Sequence, residues 1–168
     1  SGPLSFEYFL DEIKIISNSG FGDNISNKAE FLSRLTACQS TLTLNDTSVS
    51  KFEKNKLINK VFGNSIKNRF KTYNLDISNN ESILGCSVEH NGYEKKFGCI
   101  HKREIILDKE NNYLKGSDHI FKKKDGIPIR YVFRFHINPK LTVVKTMSGN
   151  SALIQLSKNK SLIFTISN

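Results

Sequence analysis

Apolar and polar positions alternate with a period of two along most of this chain. Leu4, Phe6, Tyr8 and Leu10 alternate with Ser5, Glu7 and Phe9; Asp11-Glu12 makes a turn, and residues 13–16 supply a partner strand. Residues 18–27, rich in Gly, Ser and Asn, read as a loop, and residues 28–35 as a short amphipathic turn. Residues 40–45 alternate again, with Leu42 and Leu44 on one face and Thr41 and Thr43 on the other. Extended backwards, the pattern puts Gln39 on the threonine face. Residues 45–60 are a polar excursion, and residues 61–73 fit no single period. Strands over 83–88 and 100–107 flank a central bend. Shorter strands follow at 113–114 and 118–121, the first entered from an Asn111-Asn112 turn.

The clearest alternation is Ile129, Tyr131, Phe133, Phe135 and Ile137 against Arg130, Arg134 and His136. It predicts one strand with a buried face and a wet face, ended by Pro139. Ala152, Ile154 and Leu156, then Leu162, Phe164 and Ile166, straddle a turn at 158–160 and make a closing hairpin. Short strands separated by frequent turn signals predict an all-β fold, an antiparallel β-sandwich of about ten or more strands. No repeat of solenoid or propeller length is present.

Residues 87–105, SVEHNGYEKKFGCIHKREI, stand out from this background. A hairpin bent over residues 93–98 pairs Gly92 with Cys99 and His90 with His101. Directly opposed residues of an antiparallel pair point to the same face, so the register brings two imidazoles together. A slip of one residue would separate them.

Composition adds limits. The 168 residues form one domain, 38% apolar, with twelve Phe and five Tyr in place of Trp. No apolar run reaches the roughly 18 residues of a membrane span. No signal peptide is visible. The net charge of +9 comes from 20 Lys and only 5 Arg, beside 18 Asn, the signature of AT-biased coding rather than of selection for nucleic acid. The one cluster, Lys122-Lys123-Lys124-Asp125-Gly126, reads as a solvated turn. A basic surface still suits an acidic partner such as a uronic-acid polysaccharide. Cys38, Cys86 and Cys99 are an odd number without metal or redox spacing, and read as buried free thiols. No catalytic triad or phosphate loop occurs, and Gly20 to Gly22 is not a nucleotide fingerprint.

Four pieces of the chain, in order, resemble the C-terminal half of heparinase II/III-like proteins. GPLSFEYFLDEIKIISNSG is similar to the family's opening strand pair. LTACQSTLTLNDTS is similar to its Thr-Ala-Ala-His-(Ser/Asn)-Thr-Leu-Thr-Leu-Asp-Asp-Thr segment. VEHNGYEKKFGCIHKREI resembles its His-(Asp/Asn)-Gly-Tyr run, Phe-Gly and His-Arg-Arg strand. LKGSDHI and RFHINP resemble its Leu-x-Gly-x-Asp and Arg-Phe-His-x-His-Pro pieces. The resemblance implies a supersandwich-like β domain beside an N-terminal α/α toroid of the same parent chain. On that view residues 1–168 are a single domain, a fragment lacking the toroid and the last strands. It also implies a bacterial periplasmic or envelope location and β-elimination of uronic-acid polysaccharides such as glycosaminoglycans. That chemistry neutralises a carboxylate, removes the adjacent proton and protonates the leaving oxygen.

The implied substrate-facing set is Gln39, His90, Asn91, Tyr93 and His101, with Gln39, His90 and Tyr93 as candidates for catalysis. A structural divalent metal, Zn or Ca, is implied for some members, with His90 as a candidate ligand; no other cofactor is expected. Two departures matter. Gln39 stands where the family has His, and Asn138 replaces the second His of His-x-His-Pro. Gln binds a carboxylate but shuttles no proton at neutral pH, which also weakens the metal reading. With the toroid absent, the chain alone is expected to be catalytically silent. Against these roles stand plainer ones. His90 is a hydrogen-bonded histidine ordering the bend, His101 a surface histidine, and Tyr93 a packed ring with its hydroxyl satisfied. His136 is structural or exposed, and His119 has no assigned role.

Overall fold

Period-two alternation folds into strands, and the turn residues set their ends. The computed structural model describes residues 2–22, 24–62, 65–123 and 128–167. Its strands are β1 Tyr8–Leu10, β2 Ile13–Ser17, β3 Leu42–Leu44, β4 Thr72–Asn79, β5 Ile83–His90, β6 Cys99–Asp108, β7 Tyr113–Lys122, β8 Tyr131–Phe133, β9 His136–Ile137, β10 Thr142–Lys145, β11 Ser151–Ser157 and β12 Lys160–Thr165. Three short helices interrupt them: α1 Asn27–Ser33, α2 Lys56–Phe62 and α3 Glu94–Phe97. The Ser26 hydroxyl caps α1 by accepting from the Ala29 N–H at 3.1 Å.

Among the described residues the strands form four antiparallel sheets, ordered β1-β2-β9, β3-β8, β4-β5-β6-β7 and β10-β11-β12. The fold is an all-β sandwich with two apolar cores. Leu42, Leu44, Val49, Tyr93, Phe97 and Cys99 make one. Ile15, Ile16 and Ile154 make the other, flanked by Phe6, Phe135 and Phe164.

Several sequence expectations need correction. The strand expected over 129–137 is two strands. β8 pairs with β3, whereas β9 pairs with β2 in another sheet. Between them the chain bonds to side chains and loop backbone. The Arg134 N–H donates to Thr41 O at 3.2 Å and the His136 N–H to the Ser40 hydroxyl at 2.8 Å. The threonine face leading into β3 is interior as well as the leucine face: Thr41 and Thr43 are as buried as Leu42 and Leu44. Thr41 donates to Pro3 O at 2.7 Å, so the alternation there separates packing from hydrogen bonding inside the protein. The two strands expected at 113–114 and 118–121 are one ten-residue strand, β7. Strands β4 and β10 were not legible at all, and α2 begins in the polar excursion and runs two residues past its end.

All three cysteines are unbridged, but only Cys99 is buried; Cys38 is intermediate and Cys86 exposed. The register sets Cys86 opposite Ile105. The expected turn at 122–126 and the final residue, Asn168, fall partly or wholly outside the described residues.

Candidate functional site

The expected hairpin forms in the expected register. β5 and β6 pair with His90 opposite His101 and Val88 opposite Arg103, and β6 and β7 pair with Arg103 opposite Asp118. The connection contains one helical turn, α3, closed by Gly98 in the left-handed conformation at φ 65°. There glycine avoids the strain a Cβ would bring.

These registers line up a chain of polar groups inside the sandwich. The Gly92 N–H donates to His90 Nδ1 at 3.0 Å. An amide can only donate, so His90 carries its proton on Nε2, which faces His101 Nδ1 at 3.1 Å. His101 therefore holds its own proton on Nε2 and donates it to Asp118 Oδ1 at 2.6 Å. Arg103 completes Asp118 with a fork, Nε to Oδ1 at 2.7 Å and Nη2 to Oδ2 at 3.0 Å. Its remaining Nη1 donates at 2.8 Å to both Leu4 O and Ser40 O. The guanidinium lies over the rings of Phe6 and Phe135, with its carbon 5.5 and 6.0 Å from their centroids. Phe70 and Tyr93 box the His90 ring, each with its centroid 5.8 Å away.

The network is dry. His90, His101 and Arg103 are 0%, 1% and 3% exposed, so His101 is an interior histidine and not the surface residue expected from its charged strand. Burial lowers the His90 pKa to about 3, with the neighbouring His101 and Arg103 acting in the same direction. Burial also lowers that of His101, against the opposing pull of Asp118. For Asp118, burial acts upward but is overcome by the hydrogen bonds from His101 and Arg103 and by the Arg103 charge, leaving the carboxyl below its ordinary value. Both imidazoles are thus neutral at pH 7 and the one charge pair is Arg103–Asp118.

This arrangement does not fit a divalent metal. Both ring nitrogens of His90 are engaged by Gly92 and His101, and Asp118 is spent on Arg103 and His101. Among the described residues no group of three or more His, Cys, Asp or Glu is placed to hold a metal ion.

Tyr93 is 1% exposed and donates to Leu42 O at 3.0 Å, with Thr47 O at 3.2 Å. Burial pushes its phenol above the usual range. The hydroxyl thus ties the bend to β3. Replacing it by Phe keeps the ring but leaves these carbonyls short of a donor, so Tyr93→Phe is expected to cost about 1–2 kcal/mol. Urea unfolding with an unchanged m-value checks this.

Gln39 lies just past a 3-10 turn, Thr36–Cys38, and donates to Ser33 O at 2.8 Å. Among the described residues it shares no hydrogen bond with His90, Tyr93 or His101, although its neighbour Ser40 accepts from Arg103. His136 is half-buried, with Nε2 3.1 Å from Ala37 O. His119 is half-exposed, stacked on Phe121.

Asn91 is the member of the predicted set that reaches an open space. With Asn68, Arg69, Gly92, Glu94 and Lys95 it lines a cavity of about 400 Å³. Gly92 is needed there, because an added Cβ would lie 2.3 Å from Val49 Cγ1 and 3.0 Å from His90 Nδ1. Sequence reasoning gave Arg103 and Asp118 no role. The Asn111-Asn112 turn carried only part of the signal: folded on those two residues alone the hairpin would set residue 103 opposite 120, and it is the four-residue turn over 109–112 that sets it opposite 118.

Comparison with curated proteins and with solved structures gives no match. A family model described as "Heparinase II/III-like, C-terminal" matches residues 1–168, the span that holds the sandwich, the buried histidine pair and the cavity. The chain therefore belongs to the heparinase II/III-like family, as its C-terminal domain.

Proposed function

We propose that this chain is the β-sandwich domain of a polysaccharide lyase that cleaves uronic-acid polymers by β-elimination. In this reading it supports a catalytic toroid of the same parent protein and lines one side of the carbohydrate cleft. Its place of action is then the periplasm or envelope of a bacterium. The observation that carries the reading is the family match over the whole chain.

The geometry supports a supporting and lining role over a proton-transferring one. His90 is sealed from solvent and held neutral, so it neither touches a sugar nor takes a proton near pH 7. Tyr93 is equally enclosed. Asn91 lines the cavity, which supports it as the saccharide-facing residue of this reading. A binding sandwich without a catalytic partner is the second reading, favoured by Gln39, whose amide takes the place of the family's histidine and is turned onto Ser33 O.

The test uses the parent protein with its preceding residues present. Incubated with a panel of uronic-acid polymers, it is expected to generate the ultraviolet absorbance of an unsaturated uronate. A flat trace on every polymer from folded protein would favour the binding reading.

A further inference from the structure

One segment that lines the cavity, through Asn68 and Arg69, is rich in positive charge. Residues 51–71 contain six Lys, one Arg and one Glu, a net of +6 against +9 for the whole chain. The structure arranges part of this segment so that its cations face outward. Asn68 accepts from the Lys51 N–H and donates to Val49 O at 3.2 Å. Asn91 accepts from the Lys71 N–H at 2.8 Å, and the Asn91 N–H donates to Lys71 O at 3.2 Å. Phe70, between them, packs inward on the core and on His90. Side chains alternate along extended backbone, so Arg69 and Lys71, on either side of Phe70, are left exposed.

Arg69 lines the cavity together with Lys95 from α3. Both are exposed, and neither has an ion-pair or hydrogen-bond partner among the described residues. The one acidic residue lining the cavity, Glu94, is already paired with Lys123 at 2.8 Å. The pocket thus offers two uncompensated cations, Arg69 on a wall stapled in place by two asparagines and Lys95 on α3. Its volume of about 400 Å³ sits at the lower end of the roughly 300–1,000 Å³ common for small-ligand sites. No exposed aromatic ring lines it, so it lacks the stacking platform that single-stranded nucleic acid uses.

We propose that Arg69 and Lys95 bind a carboxylate or sulfate group of an acidic polysaccharide chain in this cavity, making it an anion subsite of the sandwich. The proposal rests on the carbohydrate reading above and adds to it a location and a pair of contact residues. Arg suits the role because its planar fork matches carboxylate and sulfate oxygens in pairs.

The experiment measures binding of the chain at low salt to heparin, to polygalacturonate and to a DNA duplex, for wild type, Arg69→Gln/Lys95→Gln and the charge-matched control Lys115→Gln/Lys140→Gln. Unchanged urea midpoints establish that the variants fold. The cavity pair is expected to weaken polymer binding about tenfold or more, the worth of one charge-assisted hydrogen bond, and the control pair less than about twofold. Equal losses in both variants, or no polymer binding by wild type, would overturn the subsite. So would a duplex that binds as tightly and responds to the same pair, which would assign the cations to nucleic acid. Heparin carries both groups and polygalacturonate only carboxylates, so heparin binding alone marks sulfate as the group held and polygalacturonate binding marks carboxylate; either supports the subsite. Elimination by the parent protein is read separately. Binding that tracks the cavity while no polymer is cleaved keeps the subsite and removes the lyase, and cleavage with cavity-independent binding does the opposite.

Discussion

Replacing Arg103 by Met is expected to cost about 3–5 kcal/mol of folding stability, the range for stranding one partner of a buried ion pair. Arg103 is 3% exposed and its three terminal groups serve three parts of the chain. The fork neutralises Asp118, and Nη1 joins Leu4 O before β1 to Ser40 O before β3. Methionine keeps much of the packing against Phe6 and Phe135. It leaves Asp118 as a mostly desolvated carboxylate bonded only to His101, and two carbonyls unsatisfied. Lysine is not expected to rescue, because a single ammonium cannot reproduce the fork and the two carbonyl contacts together. Urea unfolding gives the number. The double variant Arg103→Met/Asp118→Leu removes both charges and should recover a large part of the loss, which separates the stranded-charge account from general damage to packing. A single variant within about 1 kcal/mol of wild type would show that the pair does not hold the sheets together.

The central hairpin was legible because its punctuation is local. Gly92 and Gly98 bracket a bend too short for more than one helical turn, and that length fixes His90 opposite His101. The opening and closing hairpins were legible for the same reason: apolar alternation on either side of a polar turn. The interior of β6 was harder. His101 and Arg103 alternate with Lys102 and Glu104, so both faces of the strand look polar in sequence, and only the opposing Asp118 shows which face is inside. A buried cation follows no hydrophobic pattern; it follows its compensating partner, fifteen residues away. The division of residues 129–137 between two sheets was invisible for a related reason. The alternation continues across Arg134 and Phe135, while the break is made by hydrogen bonds to Thr41 and Ser40, about ninety residues earlier. The candidate set treated His90 and Tyr93 as possible contact residues, and both are enclosed. Their burial leaves Asn91 as the member of that set at the cavity, beside Arg69 from the stretch that fitted no single period and Lys95 from the central bend.

Acid should unfold this protein through the same network, beginning well above the carboxylate range. His90 has a folded pKa of about 3 against an ordinary value of 6.5. A histidine whose folded pKa is depressed favours the fold only while it is neutral. Its contribution is therefore complete above pH 6.5. It is lost as pH falls from 6.5 towards 3, where the unfolded chain binds a proton that the folded chain refuses. Three to four units at about 1.4 kcal/mol each give about 4–5 kcal/mol as an upper bound for His90. His101, lowered by its own burial, acts with the same sign. Asp118 adds a later loss, because a depressed carboxyl stabilises the fold above its ordinary value of 3.8 and ceases to do so as pH falls through the folded value. Urea midpoints at pH 7.5, 5.5 and 4.5 are expected to fall steeply. His90→Gln should lower stability at pH 7.5 through its misplaced hydrogen bonds yet flatten the slope below pH 6.5, since the titrating ring is gone. A wild-type midpoint that is level between pH 7 and 5, or a variant with the same slope as wild type, would show that the proton is taken up elsewhere and that His90 is not the acid-sensitive group of the fold.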